Sequence, residues 1–181
     1  MKKLILIIAL CFAYTVNAQE IKWVSLEDAV KLQQQNPKKI MIDMYTVWCG
    51  PCKMLDRNTF HNKDVVDFVN KNYYAVKFNA EGNENVSFSG KTFTNPKFDP
   101  AKAKRRNSVH ELTRYFQVTA YPSIVFIDEQ LNLITTLRGY QNPQQLELYL
   151  KLFKDDKYKE MNTQEKFNQY YKAFKPEFKG K

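Results

Sequence analysis

Cys49 and Cys52 are separated only by Gly50 and Pro51, in a chain of 181 residues with 3 cysteines in all. A disulfide across so short a gap closes almost no loop and gains little by restricting the unfolded chain. The spacing therefore points to chemistry rather than to a structural staple. A dithiol of this kind passes two electrons to another disulfide by exchange. The same C-x-x-C is half of many zinc sites, but here the only further soft ligands outside the leader are His61 and His110. A c-type haem attachment would need His after the second cysteine, where Lys53 stands. No metal is expected, and no cofactor beyond a redox-active Cys49–Cys52 disulfide.

The third cysteine, Cys11, lies in an N-terminal stretch with the grammar of an export signal. Lys2-Lys3 precede an apolar run from Leu4 to Ala13, and Val16-Asn17-Ala18 place small residues at a cleavage site. The run is shorter than the roughly 20 residues a membrane-spanning helix needs. Residues 1–18 are therefore expected to be a signal peptide, cut before Gln19. Lipid anchoring at Cys11 is disfavoured, because Leu10 occupies a position that wants a small side chain. Loss of the leader leaves Cys49 and Cys52 as the thiols of the mature chain.

The elements that must position this pair follow from local patterns. Ser25 opens a helix as N-cap, with Asp28 at the capping-box position, and Asn36-Pro37 stops it. Ile40 to Tyr45 is apolar on both faces except at Asp43, as suits a central strand covered on both sides. The cysteine turn follows that strand and starts a helix through Leu55, which continues or restarts near Asn62. Such a junction puts Cys49 at a helix N-terminus, where free N–H groups and the dipole favour a thiolate. Cys49 is then the nucleophile, and Cys52, one turn on, the resolving thiol.

Tyr73 to Asn79 is a second strand. From Glu81 to about Asn107 the composition turns to Gly, Asn, Ser, Pro and Lys, and a connection this long is usually functional or mobile. Ser108 and Glu111 suggest a capping box for a helix through Phe116. Strands at 123–127 and 131–137 flank a turn at Asp128-Glu129-Gln130, and Asn142-Pro143 begins another helix. The tail from Lys154 to Lys181 is polar and aromatic-rich, with one more helix expected around Thr163 to Phe174. This order implies an α/β fold, with a central mixed sheet flanked by helices.

With 44% hydrophobic residues the chain can bury a core. The formal net charge is +9, or +7 without Lys2 and Lys3. That balance serves solubility and attraction to anionic surfaces; no nucleic-acid-binding module is present, and no such partner is expected. The basic run Lys102, Lys104, Arg105, Arg106 reads as a solvated face, with docking to an acidic partner as the alternative.

Trp48-Cys49-Gly50-Pro51-Cys52-Lys53 matches the active-site motif of thioredoxins residue for residue. Asp43 matches that family's buried carboxylate, which relays a proton to or from the resolving thiol, and Lys77 matches the lysine beside it. Tyr121-Pro122-Ser123 matches the cis-proline turn facing the disulfide, and Gly139 a glycine near the end of the last strand. The chain thus resembles the thioredoxin-like family over about Ile21 to Phe153. The resemblance implies a thioredoxin-like domain at 19–153 with an insertion at about 81–107 and a C-terminal extension at 154–181. It also implies catalytic roles for Cys49, Cys52, Asp43 and Lys77, and substrate contact at Trp48, Gly50, Pro51, Tyr121 and Pro122.

Each carried-over residue has a plainer reading. Asp43 should have a raised pKa if buried, or be a solvated carboxylate at a strand end. Lys77 would oppose that rise, or be an edge-strand surface lysine. Trp48 is a lid over the dithiol, core packing, or both. Pro122 in cis would offer a backbone edge to an extended substrate. Tyr121 and Tyr45 depart from the thioredoxin pattern. Asn58-Thr59-Phe60 and Asp64-Val65-Val66 are more similar to the periplasmic thioredoxin-like domains fused to membrane reductant carriers. The implied function is a periplasmic reductase or electron relay acting on protein disulfides and kept reduced by a membrane or periplasmic donor. A disulfide isomerase or oxidase is the alternative, and a thioredoxin-fold binding module a further one.

Overall fold

Strand β2 (Lys39–Tyr45) is buried at every position up to its last, where Tyr45 is half-buried. A strand so enclosed must lie inside a sheet covered on both faces. In the computed structural model, which describes residues 20–180, it does. The expected signal peptide, with Cys11 and the cleavage site before Gln19, lies outside the described residues.

β2 pairs parallel with β3 (Tyr73–Asn79) and antiparallel with β6 (Ser123–Ile127). β1 (Trp23–Val24) extends the sheet parallel to β3, and β7 (Leu133–Arg138) closes it antiparallel to β6. The five strands thus run in the order β1-β3-β2-β6-β7. The two-residue β1 was not legible in the sequence, being too short to show a period.

Alternation along the strands splits the core in two. Met41, Ala75, Ile124 and Phe126 face α2 (Gly50–Leu55), α3 (Lys63–Asn72) and α5 (Pro143–Lys154). Ile40, Ile42, Met44, Phe78 and Val125 face α1 (Leu26–Gln35) and α4 (Glu111–Tyr115). Asp43 shares the parity of Met41, so it points to the α2 side, beneath the helix that carries the cysteines.

Ser25 caps α1 as expected, and α5 starts at the expected Asn142-Pro143 with Asn142 as its cap. Ser25 Oγ accepts from Asp28 N at 3.0 Å, and Asn142 and Gln145 exchange side chain and backbone bonds in a full capping box. The helix from the cysteine turn passes into a π-turn at Asp56–Phe60 and restarts at Lys63, capped by Asn62. β7 begins at Leu133 rather than Leu131. Leu131 adopts φ 64° and Asn132 donates its N–H to Asp128 Oδ1, so both residues are used by the turn.

The segment after β3 departs most from expectation. It carries a hairpin, β4 (Val86–Phe88) and β5 (Lys91–Phe93), joined through Ser89 and Gly90, both at positive φ as a type I′ turn requires. Val86, Phe88 and Phe93 are buried in the second core with Phe116. The 81–107 segment is therefore packed structure, not a loose link. Ser108 and Glu111 do not form a capping box. His110 caps α4 instead, its Nδ1 accepting from Leu112 N at 3.0 Å, which leaves Nε2 to donate to the Glu84 carbonyl at 2.7 Å. Ser108 Oγ donates to Asn95 Oδ1, and the Glu111 carboxylate accepts from Thr94 N and Oγ1. Partners brought in by the 81–107 segment have displaced the local cap.

The tail forms α6 (Gln164–Ala173), capped by Thr163, and then returns to the domain. Phe178 is buried on the α3–α5 side, and buried Glu147 accepts from the backbone N–H of Glu177 and Phe178.

Asn95, buried, ties the 81–107 segment together: its Nδ2 donates to the Gly82 and Ser108 carbonyls, both at 2.8 Å. Asn95→Ala strands three groups, so urea unfolding should show a loss of about 2–4 kcal/mol. A loss below about 0.5 kcal/mol, the usual range of a surface change, would contradict this anchoring role.

Candidate active site: the Cys49–Cys52 pair

The cysteines sit where β2 gives way to α2. Cys49 is the N-cap of the helix, its Sγ accepting from Cys52 N at 3.1 Å, and Pro51 occupies the first turn, where a missing N–H costs nothing. The two sulfurs are joined in a disulfide, with Cα atoms 5.3 Å apart. Cys49 is 2% exposed and Cys52 5%, while Gly50 and Pro51 are exposed. Once reduced, Cys49 faces the unpaired N–H groups of the first turn, which favour its thiolate.

Below the helix, Asp43, Tyr45, Thr46, Cys52, Asp56 and Lys77 line one cavity of about 290 Å³. Asp43 is 2% exposed, and its Oδ1 has no hydrogen-bond partner. Burial pushes its carboxyl up to about 7; the Lys77 ammonium opposes the rise and the Asp56 carboxylate adds to it. An acid balanced near neutrality, in the same cavity as Cys52, can take a proton from that thiol or return one.

Lys77 lies beside Asp43 in the β2–β3 register, yet its ion pair is with Asp56. The ammonium also sits over the rings of Trp23 and Tyr45, at 5.5 and 5.7 Å from their centroids. It acts on Asp43 through the field and not by contact. Asp56, four residues beyond Cys52 on the helix, was not anticipated. Its spacing was a signal that could have found it.

The Tyr121–Pro122 peptide is cis. The pairing of Met44 with Ser123 places this turn beside the end of β2, from which the cysteine loop departs. Gly139, at φ 86°, donates its N–H to the Pro122 carbonyl at 2.8 Å. Tyr121 meets Trp48 edge-on, with ring centroids 6.1 Å apart. Burial pushes the Tyr121 phenol up to about 12, Glu81 adding to the rise and Arg114 opposing it.

Trp48 is held by the segment that follows β3. Its Nε1 donates to Glu81 Oε2 at 2.7 Å, and the Arg106 guanidinium covers its ring at 4.3 Å. Neither contact has a local pattern that sequence reasoning could have caught. Among the described residues no group of His, Cys, Asp and Glu is arranged to hold a metal ion, and no helix is long and apolar enough to cross a membrane.

With this geometry in place, residues 26–154 match the family described as thioredoxin-like domain. The chain belongs to the thioredoxin-like family. It is 26% identical over 117 residues to the thiol:disulfide interchange protein DsbD of Colwellia psychrerythraea. That match covers 62% of this chain but only 15% of the relative's length. A thioredoxin-fold protein from Helicobacter pylori superposes with TM-score 0.59 at 21% identity, over 76% of this chain and 82% of that one. A proposed disulphide-isomerase from Bacteroides thetaiotaomicron superposes with TM-score 0.51 at 26% identity, over 75% and 93%.

The burial of Asp43 gives its own test. A carboxyl whose folded pKa exceeds its unfolded value of 3.8 destabilises the protein as pH rises from about 4 to about 7. Asp43→Asn in the oxidised protein should therefore raise stability at pH 8, by at most about 4 kcal/mol at about 1.4 kcal/mol per pKa unit. The gain should vanish near pH 4. Urea unfolding at the two pH values checks it, and a gain independent of pH would contradict the assignment.

Proposed function

We propose that this protein is an exported thiol–disulfide oxidoreductase that reduces, or relays electrons to, protein disulfides in the cell envelope. The observation that carries the reading is the arrangement of Cys49 as helix cap with Asp43 and Cys52 in one cavity below it. In the reduced protein the Cys49 thiolate attacks a substrate disulfide. One substrate sulfur leaves as a thiolate and a mixed disulfide forms. Asp43, ionised, takes the proton of the Cys52 thiol, and the Cys52 thiolate then attacks Cys49 Sγ. The second substrate sulfur leaves, the substrate has gained two electrons, and the Cys49–Cys52 disulfide is formed. A dithiol of a membrane or periplasmic donor protein supplies the electrons for the next cycle by the same exchange in reverse.

In this reading Pro122 and its neighbours present a backbone edge to an extended substrate segment, and Trp48, Gly50, Pro51 and Tyr121 surround the attacked sulfur. Lys77 tunes Asp43 from its pair with Asp56. Export is supported by the Lys2-Lys3, Leu4–Ala13 and Val16-Asn17-Ala18 pattern. The reducing direction is supported by Gly50-Pro51 between the cysteines, the thioredoxin dipeptide.

A second reading, disulfide isomerase, is favoured by the likeness to the Bacteroides protein. The potential of the Cys49–Cys52 couple separates the two. Equilibration with glutathione or dithiothreitol should give a value near about −270 mV, as for thioredoxins. A value near about −180 mV would support the isomerase, and one near about −120 mV would contradict a reductase outright.

A further inference from the structure

The Glu81 carboxylate joins two parts of the chain that are far apart in sequence. Its Oε2 accepts from Trp48 Nε1 at 2.7 Å and from Asn107 N at 2.9 Å. Asn107 is fixed further by the backbone of Asp99, whose N–H donates to its Oδ1 and whose carbonyl accepts from its Nδ2. Arg106 is therefore delivered to the indole on an ordered backbone, with its guanidinium carbon 4.3 Å from the ring centroid. A guanidinium held over an aromatic face is attracted to the ring while the N–H donors at its edge stay free. Arg106 is exposed and forms no ion pair among the described residues. A planar fork held in advance, with its donors unused, is matched to a carboxylate. Its neighbour Arg105 is also exposed but lies over no aromatic ring among the described residues.

We propose that Arg106 is a specificity-determining residue that selects disulfides flanked by acidic side chains, binding such a carboxylate beside Trp48 while Cys49 attacks. The proposal rests on the exchange function above and adds the chemistry of its substrates. It also separates Arg106 from the general positive charge of the chain. Long-range attraction treats Arg105 and Arg106 alike, whereas a fork held over the indole acts only at 106.

The test uses two cystine peptides that differ only in having Asp or Lys on both sides of one cysteine. Each is reduced by the pre-reduced protein in a single turnover at physiological salt. The wild-type protein should reduce the Asp peptide about tenfold faster than the Lys peptide, as expected for one charge-assisted pair. Arg106→Gln should lower that ratio by about fivefold, and Arg105→Gln should change it by less than about twofold. The proposal is overturned if Arg106→Gln keeps the ratio, including by slowing both peptides equally, which would make Arg106 only a support for Trp48. It is equally overturned if Arg105→Gln lowers the ratio as much. Failure of the wild-type protein to reduce either peptide would remove the exchange function itself, and this proposal with it.

Discussion

Burying a carboxylate inside a five-stranded sheet, with no hydrogen bond to one of its oxygens, is the constraint around which the site is organised. Asp43 stands in register between Lys77 on one neighbouring strand and Ile124 on the other. Ile124 offers no polar atom, and Lys77 is drawn off to Asp56. The field of the ammonium is enough to keep the carboxyl titratable near neutrality but not enough to hold it ionised, because desolvation is the larger effect. A direct Asp43–Lys77 pair would have given an inert anion. The π-turn after α2 matters for this reason: Asp56, which takes up Lys77, is its first residue.

The 81–107 segment does for Trp48 what the sheet does for Asp43. The hairpin buries Val86, Phe88 and Phe93 against α4, and Asn95 ties its return to Gly82 and Ser108. That packing brings Glu81 and Asn107 together under the indole. Trp48 is thus neither a loose lid nor a plain core residue: its N–H is bonded to Glu81 and its ring is shared between Tyr121 and Arg106. The surroundings of Asp43 and of Trp48 are both set by contacts distant in sequence.

The division between what was legible in the sequence and what was not follows the range of the interactions. Ser25, Asn62 and Asn142 cap their helices through atoms two or three residues away, and such patterns survive in a linear reading. Asp43 was legible because one charge interrupts an apolar strand. Ser108 misled because its hydroxyl and the Glu111 carboxylate are claimed by Asn95 and Thr94, partners 13 and 17 residues distant. Glu81 lies 33 residues from Trp48, and nothing local marks it as the indole's acceptor. The same holds for Arg106, whose place in a basic run conceals that it lies over an aromatic ring.

The central claim is that placing Cys49 at the cap of α2 makes it a reactive thiolate. Ultraviolet titration of the reduced protein near 240 nm, with Cys52→Ala to isolate one thiol, reads this directly. The expected Cys49 pKa is about 7, clearly below the ordinary thiol value of about 8.5. A value at or above about 8.5 would contradict it, since the helix terminus would then give the sulfur no advantage as a nucleophile.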